Sequence, residues 1–406
     1  MRGKDRRPVI LCVFGTRPEA IKMAPVVREL TGEHSPFECR VAVSAQHREM
    51  LDQVLELFAI RPDFDLNLME EGQTLADITV RVLQGLIEVY AAVRPDLVLV
   101  HGDTTTTFAG ALAAFYCQVP VGHVEAGLRT YRKYAPFPEE MNRHLTAVLS
   151  DLHFAPTATA ADNLRREGVP EERIFVTGNT VIDALLSTVR PDFRFSDPAL
   201  AGVDFRHPVI LLTTHRRENW GQPMRRIFRA LKAVLQRHPE ATVVFPVHRN
   251  PEIRRLVSEE LAGQPRIVTC EPLDYAALVN LMARAYLVLT DSGGLQEEAP
   301  SLGKPVLVLR EATERPEALA AGTAVLVGTD EDRVAAELAR LLEDWAAYRK
   351  MANAVNPYGD GRAAVRVRQA LEFFFGLRQQ PPLPFVAGEG QKKIRRLGRI
   401  LRVGEE

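Results

Sequence analysis

The sequence predicts a doubly wound α/β protein built from two similar halves, and three observations carry that reading. Short apolar runs alternate with helical stretches through most of the 406 residues, the rhythm of a parallel sheet covered on both faces. The alternation lapses over 189–207, a polar stretch holding Pro191 and Pro198 and followed by Pro208, and then restarts. The tetrapeptide Arg-Pro-Glu-Ala opens a predicted helix twice, at 17–20 and at 315–318. Together these describe two Rossmann-like domains facing each other across a deep cleft. The first is expected over 1–190 and the second over 207–360.

In the first half, residues 9–14 are an apolar run bounded by Pro8 and Gly15, the form of a buried parallel strand. Thr16-Arg-Pro-Glu19 follows as a capping box with proline in the first turn, so a helix starts there and runs to about residue 30. Strands are expected at 39–44, 96–100, 119–124, 151–154 and 174–176, and helices at 47–58, 75–93, 104–117, 139–149 and 157–167. The second half offers strands at 209–213, 242–245, 266–269, 286–290, 305–309 and 324–327. A strongly periodic helix spans 331–348, and a last helix over 361–377 is expected to cross back onto the first domain. Residues 378–406 differ: a proline-rich joint leads to a basic amphipathic stretch over 391–403, read as a solvated tail, with transient membrane or partner contact as the other reading.

Composition narrows the function classes. With 51 basic and 52 acidic residues the chain has no overall attraction for nucleic acid or for a membrane surface. No apolar run approaches the ~18 residues of a membrane span, and none has the form of a signal peptide. Cys12, Cys39, Cys117 and Cys270 are scattered through apolar runs, as reduced thiols of a cytoplasmic protein would be. Neither half carries Gly-x-Gly-x-x-Gly, so no nicotinamide cofactor is indicated. His101, His123, His215 and His248 follow four different strands without a local ligand pair, so no metal site is expected.

The stretch 287–300 is the most informative. An apolar strand ends at Thr290, Asp291-Ser292-Gly293-Gly294 turns sharply, and a helix begins. Glycine lets backbone N–H groups approach a ligand, and the helix N-terminus favours phosphate. Glu297 and Glu298 bring carboxylates beside that cradle, which makes sense if one of them holds neutral hydroxyls such as those of a sugar. In open α/β sheets ligands sit beyond the carboxyl ends of the strands. Those ends supply Arg17, Lys22, Gln46, His47, His101, Asp103, His123, Glu125, Arg129, Glu139, Glu140 and Arg143 in the first half. The second half supplies His215, Arg216, Arg217, Glu218, His248, Arg249, Ser292, Glu298 and Arg315. Asp103 and Ser292 also read as helix caps, His123 as a core histidine, and Glu125 and Glu139 as ion partners of Arg129, Arg132 and Lys133. A cation such as Arg17 at a helix N-terminus is disfavoured without an anion nearby.

Six motifs stand in order: Phe14-Gly-Thr-Arg-Pro-Glu-Ala-Ile-Lys-Met-Ala-Pro25, His101-Gly-Asp-Thr-Thr-Thr-Thr107, His123-Val-Glu-Ala-Gly-Leu-Arg-Thr130, Pro138-Glu-Glu-Met-Asn-Arg143, Thr214-His-Arg-Arg-Glu-Asn219 and Thr290-Asp-Ser-Gly-Gly-Leu-Gln-Glu-Glu298. Over about residues 8–375 this closely resembles the bacterial non-hydrolysing UDP-N-acetylglucosamine 2-epimerases. The resemblance implies a GT-B glycosyltransferase-type fold, a homodimer, and reversible conversion of UDP-N-acetylglucosamine to UDP-N-acetylmannosamine for cell-surface polysaccharide. It implies that Ser292, Gly293, Gly294 and Arg315 hold the diphosphate, with Glu298 on the ribose and Arg17 and Lys22 facing it from the first domain. Asp103, Glu125, Glu139 and His215 match positions of catalysis or substrate binding. The implied route eliminates UDP to give 2-acetamidoglucal, then adds UDP back with the proton delivered to the other face; no cofactor is implied.

Some positions depart from the family. Gln46, Arg216 and His248 resemble parts of an allosteric substrate pocket, but Glu49 and Gly72 stand where some relatives have Gln and Arg. Leu273, with Leu278 beyond it, lies where some relatives place Gln near the uracil. Other classes fit less well. A GT-B UDP-sugar glycosyltransferase needs an acceptor site in place of three carboxylates, a hydrolysing 2-epimerase releases free sugar, and a non-catalytic nucleotide-sugar sensor has no use for Asp103, Glu125 and Glu139.

Overall fold

The computed structural model describes residues 6–44, 48–68, 70 and 72–389. The candidates Gln46 and His47 and the basic stretch 391–403 lie outside them. The chain divides into two compact units, one of Met1–Ala184 with Gly361–Val386, the other of Leu185–Asp360 with Ala387–Glu406.

The first unit runs β1 (Val9–Phe14), α1 (Arg17–Thr31), β2 (Glu38–Val43), α2 (Arg48–Leu57), β3 (Phe64–Asp65), α3 (Leu75–Val93), β4 (Leu97–His101), α4 (Thr105–Tyr116), β5 (Val121–Val124), α5 (Glu139–Leu149), β6 (Leu152–Ala155), α6 (Ala158–Arg166), β7 (Ile174–Val176) and α7 (Thr180–Thr188). Its seven strands are ordered β3-β2-β1-β4-β5-β6-β7 and pair in parallel. Every residue of β1, β4, β5 and β6 is buried, as expected of strands covered on both faces. The order reverses at β1, so the carboxyl ends of β1, β4 and β5 lie side by side, the place where such sheets bind ligands.

The second unit continues through α8 (Pro198–Ala201), β8 (Val209–Thr213), α9 (Gln222–Arg237), β9 (Thr242–Pro246), α10 (Pro251–Leu261), β10 (Ile267–Cys270), α11 (Tyr275–Arg284), β11 (Leu287–Thr290), α12 (Gly293–Glu298), β12 (Val306–Val308), α13 (Pro316–Ala320), β13 (Ala324–Leu326), α14 (Glu331–Glu343) and α15 (Trp345–Ala352). Six parallel strands are ordered β10-β9-β8-β11-β12-β13. Here β9, β8 and β11 are neighbours, and their ends carry the candidate cations and the glycine turn.

The helix expected over 331–348 is two helices. Asp344 closes α14 and opens α15, its side chain accepting from Ala347 N at 2.9 Å, a local hydrogen bond that competes with helix continuation. The last helix, α16 (Ala363–Phe374), is shorter than 361–377 because glycines with positive φ flank it, Gly361 at 74° and Gly376 at 70°. It belongs to the first unit: Asp183 caps it, accepting from Ala363 N and Ala364 N at 3.1 and 2.9 Å. The polar stretch 189–207 is anchored to the second unit, with Phe195 and Phe205 against the Arg284 guanidinium at 5.1 and 5.6 Å. Among the described residues no helix is long and apolar enough to cross a membrane, and the four cysteines are free thiols.

Candidate active site

In the first unit the site grows from the β1–α1 turn. Thr16 and Glu19 form the expected capping box, and Glu19 does more. Buried to 2% exposure, it accepts from Gly15 N and Thr16 N at 3.1 and 2.8 Å and from the Thr104 hydroxyl at 2.8 Å. The turn that carries Arg17 is thereby tied to the one that carries Asp103. Gly15 has no room for a side chain, since a Cβ there would lie 2.0 Å from Ser44 Oγ.

Glu125, just past the end of β5, has a left-handed backbone with φ 63°. Its carboxylate pairs with Lys22 Nζ at 2.5 Å and accepts from Asn179 Nδ2 at 2.8 Å. His101 lies beside it, Nε2 3.8 Å from the carboxylate. Burial holds that imidazole neutral, pulling its pKa down to about 4 against the raising effect of Glu125. Asp103 follows the positive-φ Gly102, and Arg143 grips its carboxylate through Nε at 2.9 Å and a terminal nitrogen at 2.6 Å. Glu139 is the first residue of α5, and its Oε2 is buried without a hydrogen-bond partner among the described residues. The three candidate carboxylates therefore sit just past β4, just past β5 and at the start of α5, in three different electrostatic settings.

Two neighbours have structural duties. His123 is fully buried and pairs through Nε2 with Gly102 O at 2.7 Å, its pKa lowered to about 3 chiefly by desolvation. Arg129 makes a bidentate pair with Glu167 at 2.8 and 2.7 Å. Asn179, in contact with Glu125, was missed by sequence reasoning. It follows β7 in Thr177-Gly178-Asn179, so the rule that strand ends carry function, extended one strand further, finds it.

In the second unit Ser292 precedes α12 as its N-cap, and its side chain makes no capping bond. Gly293 and Gly294 open the helix, and the Arg216 guanidinium reaches to 4.0 Å from where a Cβ of Gly293 would be. Glu298 is buried and accepts from the Tyr275 hydroxyl at 2.9 Å. That bond links it to the segment holding Leu273 and Leu278, both half-buried. Arg315, the N-cap of α13, pairs with the Glu297 carboxylate. His215, exposed after β8, stacks on His248 with centroids 5.9 Å apart and planes at 16°. The proposed catalytic and allosteric residues of this unit are thus in direct contact. Gly72 has φ 80° with nothing within 4 Å of where a Cβ would be.

Two parallel Rossmann-like sheets, one edged with carboxylates and the other with cations and a glycine turn, define an α/β sugar-nucleotide enzyme of the GT-B type. A sequence model of the family described as UDP-N-acetylglucosamine 2-epimerase matches residues 29–372. The chain is 54% identical to the UDP-N-acetylglucosamine 2-epimerase of Bacillus subtilis, over 93% of this chain and 98% of that protein. It is 54% identical to that of Escherichia coli K12, over 89% and 98%. The crystal structure of the UDP-GlcNAc 2-epimerase of Neisseria meningitidis bound to UDP-GlcNAc is similar at a TM-score of 0.82 and 48% identity, covering 91% of this chain and all of that one. The chain belongs to the UDP-N-acetylglucosamine 2-epimerase family.

Proposed function

We propose that this enzyme interconverts UDP-N-acetylglucosamine and UDP-N-acetylmannosamine by elimination and re-addition of UDP. The division of charge carries the reading: proton-transfer groups gather on the first unit, anion-binding groups on the second. The C2 hydrogen is not next to a carbonyl, so removing it alone faces a prohibitive barrier. In the elimination a carboxylate takes the C2 proton, the C1–O bond breaks, and its electrons leave with UDP, giving 2-acetamidoglucal. In the return step a diphosphate oxygen re-forms the bond to C1 while a carboxylic acid delivers a proton to the opposite face of C2.

Asp103, Glu125 and Glu139 are the candidates for the two proton transfers. Ser292, Gly293, Gly294, Arg315 and His215 stabilise the leaving diphosphate, and Arg17 and Lys22 are substrate-binding cations. Glu298 holds the ribose, and Leu273 and Leu278 flank the base. The enzyme works in the cytoplasm as a homodimer and supplies cell-surface polysaccharide. Exposed Phe115, Tyr116 and Val148 on the packed helices α4 and α5 offer an apolar surface for the second copy.

The test is NMR of UDP-N-acetylglucosamine with the enzyme in D2O. Deuterium at C2 and new manno signals still attached to UDP are expected. Release of free N-acetylmannosamine, or no exchange at C2, rejects the proposal.

A further inference from the structure

Asp291 lies between β11 and the glycine turn, and it is fully buried at 0% exposure. A buried carboxylate is costly unless donors surround it. Its Oδ2 accepts from the Thr214 hydroxyl at 3.0 Å, from His215 N at 2.9 Å, from Arg216 N at 3.0 Å and from Asn219 Nδ2 at 3.0 Å. That one oxygen suffices to fasten the 214–219 loop to the end of β11. Burial alone would raise its pKa, but the His215 ring and then the Arg216 and His215 N–H groups outweigh this and keep the group ionised, its pKa held at about 2.

Oδ1 takes none of these donors and is buried without a hydrogen bond of regular geometry among the described residues, and Nδ1 of His215 lies within ion-pair distance of it at 3.2 Å. His215 thus meets Asp291 twice, its main chain at one oxygen and its ring at the other. The residue has two further contacts, one to its ring and one to its main chain. His248 stacks along the ring face, and the His215 carbonyl accepts from Trp220 Nε1 at 3.1 Å. The His215 side chain remains 44% exposed, and Nε2 is on the ring edge away from the carboxylate.

We propose that Asp291 is a positioning residue for His215: Oδ1 holds the Nδ1 proton and turns Nε2 outward, toward the diphosphate. The proposal rests on the epimerase reading, which places His215 at the leaving group. A ring whose Nδ1–H is held by a carboxylate has its tautomer and orientation fixed, as second partners do for functional histidines elsewhere. When Nε2 is also protonated, the ring is a cation aimed at the anion, with its countercharge buried behind it. When Nε2 is bare, it offers a lone pair in the same direction.

The experiment uses the full chain labelled with 15N-histidine, the His215 signals being assigned by their loss in His215→Gln. In alkaline solution wild-type His215 should show a protonated Nδ1 and a bare Nε2. In Asp291→Asn the amide oxygen still accepts from the 214–219 loop, while its NH2 faces Nδ1. The ring should then switch to the Nε2–H tautomer, and kcat should fall about 10–100-fold. The wild-type tautomer is informative even if Asp291→Asn does not fold. An Nε2–H ring in the wild type, or an unchanged tautomer in folded Asp291→Asn, overturns the proposal. Full turnover in His215→Gln instead overturns the placement of His215 at the chemistry, whatever its tautomer.

Discussion

At the scale of single residues, the three carboxylates are distinguished by what holds them. Asp103 is gripped by Arg143, Glu125 by Lys22 and Asn179, and Glu139 has a buried oxygen with no hydrogen-bond partner among the described residues. Asp103→Asn, Glu125→Gln and Glu139→Gln keep shape and remove the titrating group. Each should lower kcat by about 10²–10⁴-fold while UDP affinity in calorimetry is retained; full activity in all three removes the acid–base assignment. Arg315 needs a different design, because Arg315→Ala also takes the arginine from the Glu297 carboxylate, which is 2% exposed. The double variant Arg315→Ala/Glu297→Gln removes both charges, so a weaker UDP titration from it reports lost diphosphate contact; an unchanged one takes Arg315 out of the cradle. Arg143 and Asp103 show what sequence reading reaches at this scale. Both were visible as charged groups at element ends, but their pairing across 40 residues has no local signature. Arg129 had the same sequence appearance and turns out to serve Glu167, since only packing decides whether a strand-end cation meets a ligand or a carboxylate of its own fold.

At the scale of elements, the strands were legible because burial on both faces leaves an uninterrupted apolar run between turn residues, as in β1 and β11. The 180–188 helix, α7, was not read, being short and apolar with no flanking alternation to set it apart. Asp344 was hidden for the opposite reason: the periodicity of 331–348 continues through the break its side chain makes. The capping box at Thr16 was read correctly as a helix start, but the second task of Glu19, joining α1 to α4 through Thr104, spans 85 positions and could not be. That bridge makes a prediction. Desolvation raises the Glu19 carboxyl pKa, so replacing it with neutral Gln relieves a buried charge and keeps an oxygen for the Gly15 and Thr16 N–H groups. Glu19→Gln should therefore lie within about 1 kcal/mol of wild type, whereas Glu19→Ala, which abandons those donors, should lose about 2–4 kcal/mol. Urea unfolding measures both; an Ala variant as stable as wild type disproves the bridge.

At the scale of the whole molecule, the two units differ in how they meet acid. The first buries His101, His123 and His153 as neutral rings, with pKa values lowered to about 4, 3 and 4 because burial disfavours the imidazolium. An unfolded histidine titrates near 6.5. Between that value and about 4 the unfolded chain takes up protons that the folded unit refuses, so stability is intact above 6.5 and falls as the pH drops. The slope approaches about 1.4 kcal/mol per pH unit for each ring. The second unit's buried hub, Asp291, acts further down: its pKa is lowered to about 2, so its contribution is lost only as pH falls through the range from about 4 to 2. The sequence supplies the probe, because both tryptophans, Trp220 and Trp345, belong to the second unit. Urea unfolding at pH 7.5 and at pH 5.5 should therefore show far-ultraviolet circular dichroism, which sees both units, moving to lower urea at the acid pH more than tryptophan fluorescence does. Replacing His153, a buried histidine outside the proposed site, with Gln should reduce that separation. Coincident transitions at both pH values would mean that the three rings do not set the acid limit of the first unit.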